Sequence, residues 1–220
     1  MRLVVASVLF GLLLFSSPAQ ATMIDRGNGL IYDTVLDITW LQDANYALTS
    51  GADADGFFTY VDANLWAQNL VYQGFSDWRL PFIDANGTGQ FVDCSSDTEV
   101  DCRNNEYGYM FYYDLHGVRL SDKTGNQIGD GGVTLFNIQP EYWSHTTGPD
   151  PGFAWVFFFG SGGGRQELFD RQGNESFFAW AVRDGDVLSA PEPVPEPATL
   201  LLLASGLAGA YRWRQRQKGR

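Results

Sequence analysis

Residues 153–159 read Phe-Ala-Trp-Val-Phe-Phe-Phe, and this run restricts the fold more than any other feature of the chain. Alternate side chains of a strand point to opposite faces. Phe153, Trp155, Phe157 and Phe159 therefore share one face, with Val156 and Phe158 on the other. A strand that is apolar on both faces belongs inside a sheet covered on both sides. Gly160-Ser161-Gly162-Gly163-Gly164 supplies the turn to a neighbouring strand. Residues 141–145 and 177–183 also have strand character, so three strands in series are predicted after residue 140.

Earlier in the chain, residues 29–32 and 37–41 read as a strand pair joined by a turn. Thr59 and Asp62 have capping-box spacing, with Val61, Leu65, Trp66 and Leu70 near one helix face and Gly74 closing the helix. Asp77-Trp78-Arg79-Leu80-Pro81 leaves in extended form, because the residue before proline avoids the helical region. A second helix is predicted over residues 105–115, ended by Gly117. No repeat of 20 to 50 residues is present, which argues against a solenoid. The sum is an α+β domain with a mainly antiparallel sheet and two helices.

The two ends are of a different kind. Residues 1–21 have a positive start at Arg2, an uncharged apolar run of 13 residues, and a small-x-small site at Ala19-Gln20-Ala21. That is a secretory leader, with Thr22 as the first mature residue. At the other end, residues 191–197 form a proline-acid linker that cannot be helical. An uncharged stretch over 198–211 follows, then a basic tail over 212–220 carrying Arg212, Arg214, Arg216, Lys218 and Arg220. As a helix the stretch covers about 21 Å, short of the roughly 30 Å hydrocarbon core, so it reads as a thin, transient membrane anchor with cytoplasmic charges. Without both ends, residues 22–190 hold eight basic and 24 acidic residues, a net charge near −16. Such a domain is no nucleic-acid binder. It also repels anionic polymers unless divalent cations intervene.

Val194-Pro195-Glu196-Pro197-Ala198-Thr199, followed by the apolar run and the basic end, resembles the PEP-CTERM sorting signal. The resemblance implies an exosortase as partner, cutting near the Pro-Glu-Pro. It also implies export across the inner membrane of a Gram-negative bacterium, as an anchored precursor bound for the cell surface or an extracellular polysaccharide matrix. A second resemblance spans residues 22–190. It rests on Asp25-Arg26-Gly27-Asn28-Gly29-Leu30-Ile31-Tyr32-Asp33, Ile38-Thr39-Trp40-Leu41, Asp43-Ala44-Asn45-Tyr46-Ala47, Trp66-Ala67, Asp77 to Pro81, Tyr142-Trp143-Ser144 and Ala179-Trp180-Ala181-Val182-Arg183-Asp184-Gly185-Asp186. In that order these are similar to the Lcl C-terminal-like domain. This implies a C-type-lectin-like fold, related to the formylglycine-generating-enzyme type, in which members often serve as surface or adhesive modules.

Few residues suggest chemistry directly. Cys94 and Cys102 lie in one polar loop of the exported part, where a disulfide is the simplest state. A redox or copper-assisted pair, as in enzyme relatives of the fold, is the rival. His116 and His145 lack metal-ligand spacing, and Ser144 beside His145 points to the opposite strand face. The glycine run at Gly160 has no following lysine, so it is not a phosphate loop. Asp53-Ala54-Asp55-Gly56 resembles the start of a calcium loop but lacks the later bidentate glutamate, and a solvated turn is its alternative. Gln139-Pro140-Glu141 is similar to the triplets of sugar-binding C-type lectins and departs from them at its third residue. Asp53, Asp55 and Glu141 are thus the candidate calcium ligands. The expectation is a non-enzymatic binding module for glycan, with calcium as the one candidate cofactor. Its surface would be lined by aromatic and polar residues of loops before the final strands. An extracytoplasmic enzyme on the same fold and a purely structural matrix protein are the alternatives.

Overall fold

The computed structural model describes residues 23–188, and these form an α+β domain with mostly antiparallel strands. The expected sheet is divided into three. One is a four-stranded antiparallel sheet in the order β1 (Met23–Asp25), β2 (Leu30–Asp33), β3 (Ile38–Leu41), β11 (Val182–Asp184). The second has the order β4 (Phe57–Phe58), β10 (Phe177–Phe178), β7 (Glu141–Thr147), β8 (Phe153–Phe158), β9 (Arg165–Asp170), with β10 parallel to β7. The third is a ribbon of β5 (Gly125–Ile128) and β6 (Thr134–Ile138), which the sequence did not announce because β5 is polar and exposed along most of its length.

β8 lies inside the five-stranded sheet, as its two apolar faces require. Phe157 and the following Phe159 enter one core cluster with Trp40, Tyr107, Phe111, Tyr142 and Trp180, on the side of the four-stranded sheet. Ala154 and Val156 enter a second cluster with Trp143, Phe177, Ala63 and Ala67, on the side of helix α2 (Tyr60–Asn69). Each large side chain removed from water this completely contributes about 1.5–3 kcal/mol. The large sheet is therefore the middle layer.

Three expectations need correction. First, the strand after the glycine turn is β9, which pairs with β8 from Arg165↔Phe158 to Asp170↔Phe153. Second, residues 177–183 are not one strand. Phe177–Phe178 belongs to the large sheet and Val182–Asp184 to the small one. Between them the chain crosses so that Trp180 fills the core, its indole N–H donating to the Leu41 carbonyl at 2.7 Å. Third, α2 buries Tyr60, Ala63 and Ala67, while Val61 and Leu65 face solvent. Two alanines let the helix approach the sheet closely, and Trp143 fills the space beneath.

Thr59 caps α2 as expected, accepting the Asp62 N–H. The helix stops before Gly74, which instead forms with Gln73 a positive-φ turn joining Tyr72 to Phe75. Two one-turn helices, α1 (Tyr46–Thr49) and α3 (Glu99–Cys102), add to the two expected. The second expected helix is present as α4 (Glu106–Tyr109), which runs directly into a π turn over Met110–Asp114. That turn aims Met110, Phe111 and Asp114 inward.

The glycine run packs backbone against backbone: a Cβ at Gly163 would stand 2.8–2.9 Å from three carbonyl oxygens. The leader at 1–21 with Ala19, Ala21 and Thr22, the linker at 191–197, the apolar stretch at 198–211 and the tail at 212–220 lie outside the described residues. Among the described residues no helix is long and apolar enough to cross a membrane.

Candidate functional site

Trp155 and Phe91 carry the most site-like geometry. The odd-numbered face of β8 begins in the core at Phe157 and runs outward, so that two residues earlier Trp155 reaches the surface. Opposite it, the long loop between Phe82 and Thr98 places Phe91 with its ring centroid 5.6 Å from that of Trp155, at 45°. Phe91 is 59% exposed, unusual for phenylalanine. The two rings wall a cleft of about 210 Å³ completed by Asp84, Gln90, Thr146 and Gln166. Trp155 and Gln90 both line this cleft, where the indole and the carboxamide can meet a ligand.

The loop holding Phe91 is built, not loose. The Asp84 carboxylate accepts from Thr88 N–H at 3.0 Å, Gly89 N–H at 2.6 Å, the Thr88 hydroxyl at 3.1 Å and the Asn104 amide at 2.8 Å. Burial pushes its carboxyl up, but the Asn104, Thr88 and Gly89 donors outweigh this and hold it below the usual carboxylate range. The Thr146 hydroxyl on β7 accepts the Ile83 N–H at 2.9 Å. On the far side of Phe91, Gln166 of β9 donates to the Val92 carbonyl at 3.1 Å and accepts from Asn105, the cap of α4, at 2.6 Å. Cys94 and Cys102 form a disulfide that ties the end of this loop to α3. The expected bridge is therefore present, and its position gives it a role in shaping the cleft.

Arg79 secures the entry to the same loop. Its guanidinium meets both oxygens of Glu106 at 2.8 Å and Asp184 at 2.6 Å, and lies 4.3 Å over the Phe82 ring. Glu106, the first residue of α4, also accepts the Phe82 N–H at 2.7 Å. One buried carboxylate thereby links the extended segment, the helix and the start of the cleft loop.

The candidate calcium ligands are not gathered. Asp53 accepts the N–H groups of Asp55 and Gly56, and Asp55 accepts that of Phe57, so both make Asx turns; the Asp55 donor first of all holds the Asp53 carboxyl low. Glu141 stands apart at the start of β7. Among the described residues no group of three or more His, Cys, Asp or Glu is arranged to hold a metal ion. His145 bonds Asn64 at 2.8 Å and His116 pairs with Asp130 at 2.9 Å, while Ser144 turns toward Thr146. Arg165 is committed to Glu167 and stacks over Phe158, and Arg171 lies over Tyr60. Sequence reasoning expected aromatic residues at the binding surface but did not bring Phe91 together with Trp155, because 64 residues separate them. A phenylalanine in the polar context Gly-Gln-Phe-Val-Asp was the available signal.

Residues 190–217 match the PEP-CTERM protein-sorting motif. No curated protein and no solved structure matches the chain. The motif marks an exported protein made as a membrane-anchored precursor and processed by an exosortase.

Proposed function

We propose that the exported domain is a non-enzymatic glycan-binding module of the cell surface or polysaccharide matrix, on a C-type-lectin-like fold, released from its anchor near Pro195-Glu196-Pro197. The observation carrying this reading is the Phe91–Trp155 cleft. The exposed Phe91 ring and the half-buried Trp155 ring provide stacking surface for a sugar ring, and the Trp155 indole N–H and Gln90 carboxamide provide hydrogen bonds to hydroxyls. The one carboxylate in the lining, Asp84, is occupied by its own loop, so the cleft offers a ligand no free charge. That selects neutral sugars, and the domain's charge near −16 disfavours acidic ones.

Calorimetry of the exported protein against neutral and acidic oligosaccharides tests this. Neutral glycan should bind with an affinity indifferent to millimolar Ca²⁺ or chelator. Trp155→Ala should weaken binding by about 5- to 150-fold, in line with the roughly 1–3 kcal/mol that ring stacking contributes at other aromatic platforms. Binding only of acidic glycan with calcium, binding unchanged by Trp155→Ala, or turnover of the bound sugar would each displace the proposal.

A further inference from the structure

Phe91 borders more than the Trp155 cleft. The same ring is a wall of a second hollow, of about 340 Å³, on the side of α3, whose residues Val100 and Asp101 line it. Gln90 also lines both spaces, so residues 90 and 91 form a rib between them. The rib is held at each end. Before it, the Thr88 and Gly89 N–H groups donate to Asp84; after it, the Val92 carbonyl accepts from Gln166 at 3.1 Å and from Asn105 at 3.3 Å. These anchors act on the backbone of neighbouring residues, so the Phe91 ring is presented at a fixed place and stays exposed.

The second hollow has its own chemistry. Phe91 and the exposed Val100 give it apolar surface, while Asn86, Asp97, Asp101 and Asn104 give it polar groups. Part of that polar capacity is used within the protein. The Asn104 carboxamide accepts the Asn86 N–H at 2.7 Å and donates to Asp84 at 2.8 Å. Asp97 accepts the Asp93 N–H at 2.8 Å and Asp101 the Thr98 hydroxyl at 2.6 Å, each through Oδ2. A carboxylate offers about four acceptor sites on its two oxygens, so both acids keep capacity for donors from outside. Among the described residues no lysine or arginine lines the hollow. It therefore suits hydroxyl groups, whose bonds to a carboxylate are short and strong, and repels carboxylate or sulfate groups.

Volume points the same way. The Trp155 cleft, at about 210 Å³, falls below the roughly 300–1,000 Å³ of ordinary small-molecule sites, and the two hollows joined at the rib fall within that range. A third space beside Phe91, near the start of β9, is smaller, about 60 Å³. Its arginines are already taken, Arg119 by Asp93 at 3.0 Å and Arg165 by Glu167. The continuation of the cleft therefore runs toward α3. We propose that the Trp155 cleft and the hollow beside α3 are two subsites of one groove, divided by Phe91, and that the ligand is a neutral oligosaccharide of two or more units, a conclusion that rests on the glycan-binding reading and narrows its ligand class. One unit stacks on Trp155 and Phe91. The next crosses the rib at Gln90 and sets its hydroxyls on Asp97 and Asp101.

The test is calorimetry of the exported protein against ladders of one to four units of neutral glucan, mannan and galactan. Affinity should rise about 10- to 150-fold from one unit to two, the gain expected from a hydrogen bond to a charged group. Val100→Trp, at a largely exposed position, fills the second hollow and should erase this length dependence. Asp97→Asn should reduce it, and because the carboxamide keeps an acceptor oxygen for the Asp93 N–H, the test stands even if the tryptophan disturbs the fold. Trp155→Ala should instead weaken every binding member of a ladder by the same factor. Equal affinity for one unit and for several, lowered throughout by Trp155→Ala, overturns the two-subsite groove and leaves the glycan-binding reading standing. A length dependence untouched by Val100→Trp and Asp97→Asn alike also overturns it, because the added units then lie elsewhere. Binding of no member of any ladder overturns both.

Discussion

Replacing Arg79 by methionine should destabilise the domain by about 3–5 kcal/mol, the loss expected when a buried ion pair is broken from one side. The structure places it in that class. The Arg79 side chain is 17% exposed and that of Glu106 only 5%, and they meet through two 2.8 Å hydrogen bonds. Methionine keeps an unbranched side chain of similar reach but removes the guanidinium that lies over Phe82, and leaves the Glu106 carboxylate in the interior with the Phe82 N–H as its remaining donor. Asp184 loses its partner too, but it is exposed and water replaces it at little cost. For a domain of this size the melting temperature should fall by about 6–20 °C. Glu106→Gln should cost less, about 1–2 kcal/mol, since Arg79 keeps Asp184 and the carboxamide can still accept from Phe82. The double variant should be more stable than Arg79→Met alone, because no charge is then stranded. Urea unfolding of all four proteins gives the coupling directly. A loss below about 1 kcal/mol for Arg79→Met, or a double variant whose loss equals the sum of the singles, would refute the reasoning.

Two more outcomes concern the cleft. Replacing Cys94 and Cys102 by serine should cost about 2–3 kcal/mol through the freed loop and weaken neutral-glycan binding by loosening Phe91, whereas alkylation of the exported wild type without reduction should label neither thiol. Asp84 titrates below the usual carboxylate range, so its contribution to the loop is complete above a pH of about 3.9 and is lost as pH falls through its lowered value. Glycan binding should accordingly be flat from pH 8 to about pH 4 and decline only in stronger acid; Asp84→Asn, which keeps one acceptor oxygen, should bind more weakly at neutral pH, and an unchanged affinity would contradict the loop's role.

Local signals were sufficient wherever the determining contacts are local. The hairpin of β2 and β3, the Thr59 cap and the two-faced apolar run of β8 follow from neighbours in the chain. The face of α2 did not follow, because Ala63 and Ala67 are inconspicuous until the sheet beneath them is known. Nor did the division of residues 177–183: period-two alternation reports that a segment is extended, not which sheet it joins. β9 escaped notice as a charged edge strand, which buries too little to leave an apolar pattern. The distinction is sharpest for function. The sorting motif over residues 190–217 is carried by linear order, a Pro-Glu-Pro, an uncharged run and a basic end, so export and processing were legible in the sequence. The cleft joins Phe91 to Trp155, and the buried carboxyls of Asp33 and Asp114 meet in the core, across 64 and 81 residues. Those meetings were decided by which side chains the β-layers and the π turn bring together, through burial that one-dimensional order does not record.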